Sequence, residues 1–297
     1  MIGKEIRVGR FLNRGKVVIV AADHGSYMGP FEGIEELPRQ IHAFKKADGV
    51  LIMPGMAFLC RDFFSKKDSP LCIIRVNYAF HYVKAYQYRR GYNKRLISVK
   101  QALSMGADIV MASLLFSGDE QADAENITQF GQYVEEANEL GIPLIGEYIP
   151  MGSIDRFKKE DINKLELGTR ALAEFGADMM KTVYVENFGK IVKCAGIPVF
   201  ALGGAKTDRP IDSFITAKKA VSEGAAGIVF GRNVICAENP EIYLDVLIEV
   251  AKGKITAEEA EQCYLKNINS KTVLREQDVI RLNSKRMPKE NTKGIKS

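Results

Sequence analysis

Short runs of apolar, β-branched residues alternate along the chain with longer segments that mix apolar and polar positions. Each run is apolar almost throughout, as in strands buried on both faces, and the runs start roughly 20–37 residues apart, the spacing of βα units. The eight runs are KVVIVAAD (16–23), GVLIMP (49–54), LCIIRV (71–76), DIVMAS (108–113), PLIGEY (143–148), DMMKTVY (178–184), IPVFAL (197–202) and GIVFGR (227–232). The pattern predicts eight parallel strands.

Similar junctions lead into four of these runs, and amphipathic segments lie between the runs. The junctions are KADGVLI, MGADIVM, FGADMMK and EGAAGIV, where glycine suits the left-handed residue that ends a helix. Helices are expected over 123–140, 159–175 and 211–223. A doubly wound open sheet would favour GxGxxG after the first strand, and AADHGSYMGP lacks it. We therefore predict an α/β fold with a single (β/α)₈ TIM barrel.

Composition adds a domain boundary and a cellular setting to this prediction. We assign 1–283 to the barrel and 284–297, SKRMPKENTKGIKS, to a basic tail expected to be mobile. No apolar run approaches the ~18 residues of a membrane helix. The start, MIGKEIRVGRFLNRGK, resembles no secretory signal. The five cysteines show no CxxC spacing and are expected to be reduced. These features predict a cytoplasmic protein that does not bind membranes.

Charge and histidine content narrow the chemistry. The 42 basic and 37 acidic residues give a net charge of +5, which suits a small anionic substrate and is weak for nucleic acid. The three histidines are widely separated, so a zinc site is not expected. One basic, aromatic segment, YQYRRGYNKR (86–95), permits an RNA or phosphate surface, or simply a solvated loop or a subunit contact.

Lys181 is the most informative residue, because it interrupts a run that otherwise indicates a buried strand. Lysine is rarely buried unless it is paired or functional. A desolvated ammonium loses its proton more readily, and the neutral amine can attack a carbonyl to form a Schiff base. The alternative is a lysine at the strand edge whose amine reaches water.

Two glycine-containing loops follow the seventh and eighth predicted strands, where many barrels bind phosphate. ALGGAKTD contains Gly203, Gly204 and Lys206, and VFGRNVICAENPE contains Gly231 and Arg232. Glycines let backbone N–H groups approach an anion, and a helix N-terminus adds partial positive charge. These five residues are the predicted phosphate site.

Three further candidates end the first and fifth predicted strands. Asp23 and His24 lie in the turn after the first strand, and Tyr148 ends the fifth. A carboxylate, an imidazole or a phenol can each transfer protons at the bond being broken. Asp23 can equally cap a helix, and Tyr148 can be a rim aromatic. Successive side chains alternate along a strand, so only one of Glu147 and Tyr148 is expected to face inward.

Four motifs together resemble one family. ADHGSYMGPFEG, DMMKTVYVENF, ALGGAKTD and GAAGIVFGRN are similar to segments of the archaeal-type class I fructose-bisphosphate aldolases, grouped with deoxyribose-phosphate aldolase. Relatives in that group are 2-amino-3,7-dideoxy-D-threo-hept-6-ulosonate synthase and 3-hydroxy-5-phosphonooxypentane-2,4-dione thiolase. The resemblance runs from about 17 to 256. It implies a TIM barrel, no metal or other cofactor, and a homo-oligomer.

The resemblance also implies roles for individual residues. Lys181 would be the Schiff-base lysine, Asp23 would lie near the substrate hydroxyls, and Tyr148 would be the general acid/base. The segment KTVYVENFGKI is closer to the thiolase relatives, which also use the histidine of the DHG turn, here His24, and lack a tyrosine at the position of Tyr148. The bulky, basic segment 76–95 puts fructose 1,6-bisphosphate itself in question.

These observations predict a lyase, a metal-independent class I aldolase acting on a phosphorylated ketose or related sugar phosphate. One alternative is a thiolase-like acyl transferase that moves an acyl group from a phosphorylated dione to coenzyme A. Another is a non-catalytic barrel that binds a sugar phosphate or RNA.

Overall fold

Eight parallel strands form a closed barrel, which confirms the predicted TIM barrel. The structure is a computed structural model and describes residues 2–86, 88, 90–151 and 161–268. The barrel strands are β1 (Val17–Ala21), β2 (Gly49–Ile52), β3 (Leu71–Arg75), β6 (Ile109–Leu114), β7 (Leu144–Tyr148), β8 (Met179–Val183), β9 (Val199–Leu202) and β10 (Gly227–Phe230), in the circular order β1-β10-β9-β8-β7-β6-β3-β2. The predicted tail (284–297) lies outside the described residues.

Alternate residues of each strand face two separate apolar layers. Val17 and Ile19 point into the barrel, where they pack in one cluster with Met179 and Phe200. Val18 packs in the other cluster, between the sheet and the surrounding helices. Both faces of the strands are therefore buried, which explains why the runs are apolar almost throughout.

Aspartates in the repeated junctions form hydrogen bonds to the neighbouring strand. Asp48, Asp108 and Asp178 stand immediately before β2, β6 and β8. Their carboxylates accept hydrogen bonds from the backbone N–H groups of Val18 (2.9 Å), Cys72 (2.8 Å) and Leu144 (2.8 Å), each on the strand before. The glycine before each of the last two aspartates has positive φ, +91° at position 106 and +100° at 176, as the sequence predicts.

The N-terminal helix α1 (Ile2–Leu12) lies across the amino ends of the strands. Phe11 packs into the barrel interior with its ring 6.0 Å from that of Phe200. The buried amine of Lys4 lies 2.9 Å from Asp178 Oδ2 and donates to Asn138 Oδ1 at 2.6 Å. Because α1 covers this end, the opposite end, where the strands terminate, is the one open to a ligand.

The remaining helices surround the barrel, and a hairpin not predicted from the sequence follows β3. The helices are α2 (Gly25–Met28), α3 (Leu37–Gln40), α4 (Pro54–Leu59), α5 (Arg61–Phe64), α6 (Val99–Ser104), α7 (Glu120–Leu140), α8 (Ile162–Phe175), α9 (Phe188–Ala195), α10 (Pro210–Ser222), α11 (Arg232–Ile235) and α12 (Pro240–Ala251); residues 257–268 are also helical. The antiparallel hairpin consists of β4 (Asn77–Ala79) and β5 (Asn93–Arg95). The three helices predicted by periodicity are present, with ends that differ from the prediction by at most three residues.

Candidate active site

A cavity opens at the carboxyl ends of the strands, as expected for a TIM barrel. Five elements contribute its six charged and imidazole side chains: the turn after β1, then β3, β7, β8 and the start of α11. These side chains are Asp23, His24, Arg75, Glu147, Lys181 and Arg232. Gly203, Gly204 and Gly231 complete the wall beside β9 and β10. The predicted residues Asp23, His24, Lys181 and Arg232 therefore share one cavity.

Lys181 projects into the barrel from the middle of β8. Its side chain is 7% exposed, and it lies on the same strand face as Met179, which belongs to the interior cluster. Glu147 is its partner in the parallel register of β7 and β8, and the Lys181 Nζ lies 2.6 Å from Glu147 Oε1. The lysine is thus buried, paired and directed into the cavity, and does not reach water at the strand edge.

Arg75 links the carboxylates of the site, and the sequence analysis missed it. It is 1% exposed. Its Nε donates to Asp23 Oδ2 at 2.6 Å, its Nη1 to Ser113 Oγ at 2.6 Å, and its Nη2 to Glu147 Oε2 at 2.9 Å. A charged residue inside the apolar run LCIIRV is the same signal that identified Lys181.

The buried charges balance one another. Burial by itself raises the pKa of the Glu147 carboxyl, but the positive charges of Arg75 and Lys181 outweigh burial and hold that pKa well below its usual range. The pKa of Asp23 is likewise lowered, because Arg75 and Lys181 overcome the effect of burial. Two carboxylates therefore stay ionised beside two cations. Such a pairing is what makes buried charge tolerable.

Tyr148 does not lie in the cavity, which corrects the expectation that its hydroxyl faces the substrate. Its side chain packs on the outer face of the barrel against α8. A Cβ added at Gly168 would stand 2.2 Å from Cε1 and Cζ of the tyrosine ring, so a glycine makes room for it. Burial raises the pKa of Tyr148 to about 12. Of the two adjacent residues, Glu147 is the one that faces inward, as strand alternation requires.

His24 is fixed in the turn after β1 as a neutral imidazole. Its Nδ1 is 3.0 Å from the Ala21 carbonyl oxygen. A carbonyl only accepts, so Nδ1 carries the proton and Nε2 carries the lone pair. Burial lowers the pKa of His24, although Asp23, 3.7 Å away, opposes this effect. A Cβ at Gly231 would come within 2.3 Å of the imidazole Cε1, so glycine is needed there for the ring to pack.

The two predicted phosphate loops lie side by side after β9 and β10. Gly204 has a φ of +69°, a conformation that favours glycine. The buried amide of Asn233 connects the loops: its Nδ2 donates to the carbonyl oxygens of Gly203 and Ala205, each at 3.1 Å, and its Oδ1 accepts from the Thr207 N–H at 2.9 Å. Asn233 is a second residue without a predicted role.

The two basic side chains predicted for these loops, Lys206 and Arg232, point in different directions. Arg232 lines the cavity, and burial lowers its pKa. Lys206 is exposed and does not line the cavity. The expectation that both side chains face the same anion is therefore not met. The reason is that the Asn233 contacts hold the first loop in a turn that directs Lys206 to solvent.

The β4–β5 hairpin forms the wall of the cavity above β3. Asn77 and Asn93 each donate to the carbonyl oxygen of Ser113 at 2.8 Å, which anchors both strands to β6. Between them, Tyr82 lines the cavity and donates to Glu147 Oε2 at 3.2 Å. The segment 76–95 thus contributes Tyr82 to the wall of the cavity.

Within segment 86–95, the described basic residues are paired with acidic residues. Arg90 lies 3.4 Å from Asp119, Lys94 pairs with Glu125, and Arg95 Nη2 is 2.7 Å from Glu136. A surface for RNA needs positive charge that is available to phosphates. These ion pairs therefore weaken the RNA-binding alternative.

Within residues 2–86, 88, 90–151 and 161–268, no three His, Cys, Asp or Glu side chains are grouped so that they could hold a metal ion. Over the same ranges, no helix combines the length and apolar character needed to cross a membrane.

Residues 17–237 match the DeoC/LacD family of aldolases. An uncharacterized aldolase of Saccharolobus solfataricus is 33% identical over 250 residues, which cover 81% of this chain and 91% of that protein. The 2-amino-3,7-dideoxy-D-threo-hept-6-ulosonate synthase 1 of Archaeoglobus fulgidus is 30% identical over 262 residues, covering 87% and 95%. The 3-hydroxy-5-phosphonooxypentane-2,4-dione thiolase of Escherichia coli is 26% identical over 275 residues, covering 89% and 87%.

Among solved structures, the fold is similar to an archaeal fructose-1,6-bisphosphate aldolase whose catalytic lysine is covalently bound to the carbinolamine intermediate of its substrate. The TM-score is 0.72 at 25% identity, with coverage of 84% of this chain and 100% of that one.

Proposed function

The chain belongs to the DeoC/LacD aldolase family, and from that premise we propose that it is a metal-independent class I aldolase in which Lys181 forms a Schiff base with a phosphorylated ketose or related sugar phosphate. One observation carries the proposal: the amine of Lys181 is buried inside the barrel, 2.6 Å from Glu147, in the cavity that the glycine loops also line. A buried amine beside an anion and a phosphate site suits imine chemistry.

The reaction follows from these groups. The Lys181 ammonium gives up one proton and the amine attacks the ketone carbon; that proton returns to the carbinolamine oxygen, which leaves as water, and the product is an iminium. The iminium withdraws electrons, so that the neighbouring C–C bond breaks to release an aldehyde and leave an enamine. Protonation of the enamine and addition of water then release the second product and free Lys181.

The buried charges favour the cationic iminium. Glu147 stays ionised because Arg75 holds its pKa low, so it acts as a fixed anion beside the lysine nitrogen. An ammonium and an iminium carry the same charge, and the balance among Asp23, Glu147, Arg75 and Lys181 is therefore the same before and after imine formation. A preorganised site of this kind requires little rearrangement during the reaction.

Proton transfer then falls to His24. Asp23 and Glu147 are locked in ion pairs with Arg75, and Tyr148 faces away from the cavity. The neutral His24 lines the cavity with Nε2 as its basic nitrogen, so it can take the proton from the substrate hydroxyl as the C–C bond breaks. Gly203, Gly204, Gly231 and Arg232 bind the phosphate, and this remote binding positions the reacting carbons. Lys206 contributes only long-range positive charge.

Borohydride trapping tests the proposal. The protein is incubated with dihydroxyacetone phosphate, reduced, and mapped by peptide mass spectrometry. We expect an adduct on Lys181. Lys181→Arg keeps the charge beside Glu147 but cannot form the imine, so trapping should vanish and turnover should fall by about a thousandfold or more. The exposed Lys100 provides the control, and Lys100→Ala should trap normally. An adduct on another lysine, or normal turnover in Lys181→Arg, would contradict the mechanism.

A second candidate, acyl transfer from a phosphorylated dione to coenzyme A, is favoured by one observation: the cavity contains His24 and not Tyr148. The two reactions differ in their acceptor. If product forms only when coenzyme A is present and carries the acyl group on its sulfur, the thiolase-like reaction is the correct one.

A further inference from the structure

The cavity has two unlike ends. The loops after β9 and β10 provide glycines and Arg232. In the closed strand order, β9 and β3 are four strands apart in a ring of eight, so β3 and the hairpin that follows it face the phosphate loops across the barrel. Lys181, on β8, lies between them. A substrate bound at the loops by its phosphate therefore extends over Lys181 toward the wall above β3.

The cation on this far wall is not available to an anion. Arg75 is 1% exposed and already donates to Asp23, Ser113 and Glu147. Asp23 and Glu147 balance Arg75 and Lys181 in charge, so this wall has no surplus positive charge for a second anion. Three cations line the cavity within the described residues. Lys181 forms the imine, Arg75 is occupied on the far wall, and Arg232 lies at the opposite end with the phosphate loops.

The side chains that remain on the far wall are uncharged. Tyr27 and Tyr82 line the cavity, and their rings meet edge to face with centroids 5.4 Å apart. Behind them Tyr78 stacks on Tyr27 at 4.9 Å, and His81 packs on Tyr82 at 4.0 Å. Burial lowers the pKa of His81 to about 3, so this imidazole is neutral.

Tyr27 offers an unused hydrogen-bond donor. The residue is 8% exposed, and its hydroxyl is buried without a hydrogen-bond partner among the described residues, although the Ala79 backbone is close enough to affect its pKa. A backbone N–H can only donate, so the tyrosine O–H has no acceptor. Buried polar groups usually find partners, and a polar atom of the substrate would complete this one.

We infer that the site takes a substrate with a single phosphate, and that Tyr27 and Tyr82 form a subsite for an uncharged, hydroxyl- or carbonyl-bearing end of that substrate. This inference rests on the proposed function and adds the substrate class. It implies that a second phosphate at the far end weakens binding, because it would meet Asp23 and Glu147 with no free cation.

A matched pair of ketose phosphates tests the inference. Fructose 1-phosphate and fructose 1,6-bisphosphate differ only in the second phosphate, and each competes with dihydroxyacetone phosphate for borohydride trapping on Lys181. We expect fructose 1-phosphate to inhibit trapping at a concentration at least about tenfold lower, a difference of roughly 1.4 kcal/mol. Equal or tighter competition by the bisphosphate would overturn the inference, as would no competition by fructose 1-phosphate.

The comparison of fructose 1-phosphate with fructose 1,6-bisphosphate also tests for cations contributed by residues outside the described ranges. Segment 152–160 includes Arg156, Lys158 and Lys159. A second phosphate site provided by these residues would appear as a preference for the bisphosphate, which is the overturning result. Failure of dihydroxyacetone phosphate to be trapped at all would instead count against the proposed function, so the two failures are distinguishable.

A hydroxyl deletion tests the Tyr27 contact. Tyr27→Phe removes only the O–H, and should weaken competition by fructose 1-phosphate about threefold to tenfold, the effect of one neutral hydrogen bond. Its effect on dihydroxyacetone phosphate, which is too short to span the cavity, should be smaller. The matched control is Tyr86→Phe, at a tyrosine that is 72% exposed. It should change neither the competition by fructose 1-phosphate nor the trapping of dihydroxyacetone phosphate. If Tyr27→Phe weakened the binding of fructose 1-phosphate and of dihydroxyacetone phosphate equally, the assignment of this subsite would be overturned.

Discussion

At the scale of single residues, Arg75 determines how the site is built. It forms ion pairs with both Asp23 and Glu147, and it also donates to Ser113. Removing it would leave two buried carboxylates with Lys181 as their remaining cation. Breaking a buried ion pair by removing one partner is strongly destabilising, because the charge left behind is neither solvated nor paired.

Truncating Arg75 should therefore cost far more stability than truncating an exposed arginine. We expect Arg75→Met to lower the free energy of unfolding by about 3–5 kcal/mol. The control is Arg170→Met, which removes an exposed pair with Glu174 and should cost less than about 1 kcal/mol. Urea unfolding followed by circular dichroism measures both. Equal losses in the two variants would show that Arg75 is not the centre of the buried network.

At the scale of elements, the register of β7 decides which side chain reaches the substrate. Glu147 faces Lys181 on the neighbouring strand, and Tyr148 faces α8, where Gly168 leaves space for its ring. Side chains alternate along a strand, so a shift of one position would exchange the two residues. The motif resemblance pointed to Tyr148 on β7, whereas the β7 side chain that lines the cavity is Glu147, one position earlier in the chain.

This orientation predicts that the Tyr148 hydroxyl is dispensable. Tyr148→Phe should keep turnover within about threefold of the unmodified protein, because surface and non-catalytic hydroxyls contribute little to the reaction. The matching change on the inward side, Glu147→Gln, removes the anion beside Lys181 and should lower turnover by about a hundredfold or more. Steady-state kinetics separates the two. A large loss in Tyr148→Phe would mean that the hydroxyl reaches the substrate after all.

At the scale of the whole molecule, the two ends of the barrel are built differently. Its amino ends are closed by α1 and joined by the repeated Asp48, Asp108 and Asp178 contacts, whereas the carboxyl ends hold the buried charges of the cavity. Those charges also link the stability of the fold to pH. The folded state keeps the pKa values of Asp23 and Glu147 below their usual range, so both groups favour the folded state when ionised.

The sign of this linkage predicts loss of stability in acid. The contribution of both carboxylates is complete above the unfolded pKa of about 4 and is lost as the pH falls toward their lower folded pKa values. Urea midpoints should therefore fall as the pH is lowered below about 4. Glu147→Gln should be less stable at neutral pH but should lose less stability in acid. The exposed Glu174 is the control, and Glu174→Gln should follow the unmodified protein. If the urea midpoint of Glu147→Gln changed with pH in the same way as that of the unmodified protein, the linkage would be contradicted.

The sequence by itself determined the barrel and most of the predicted residues that line its cavity. Eight apolar runs at βα spacing leave one closed parallel fold, because strands buried on both faces must be apolar throughout, and a lysine within such a run must be paired or functional. The same rule applied to Arg75 would have added the residue at the centre of the site. Only the tertiary structure decided which of Glu147 and Tyr148 faces inward, and that Lys206 points to solvent. It also showed that the hairpin after β3 supplies an aromatic wall. These outcomes depend on strand register and on contacts between residues far apart in the chain, such as Gly168 with Tyr148, and local sequence patterns do not specify such contacts.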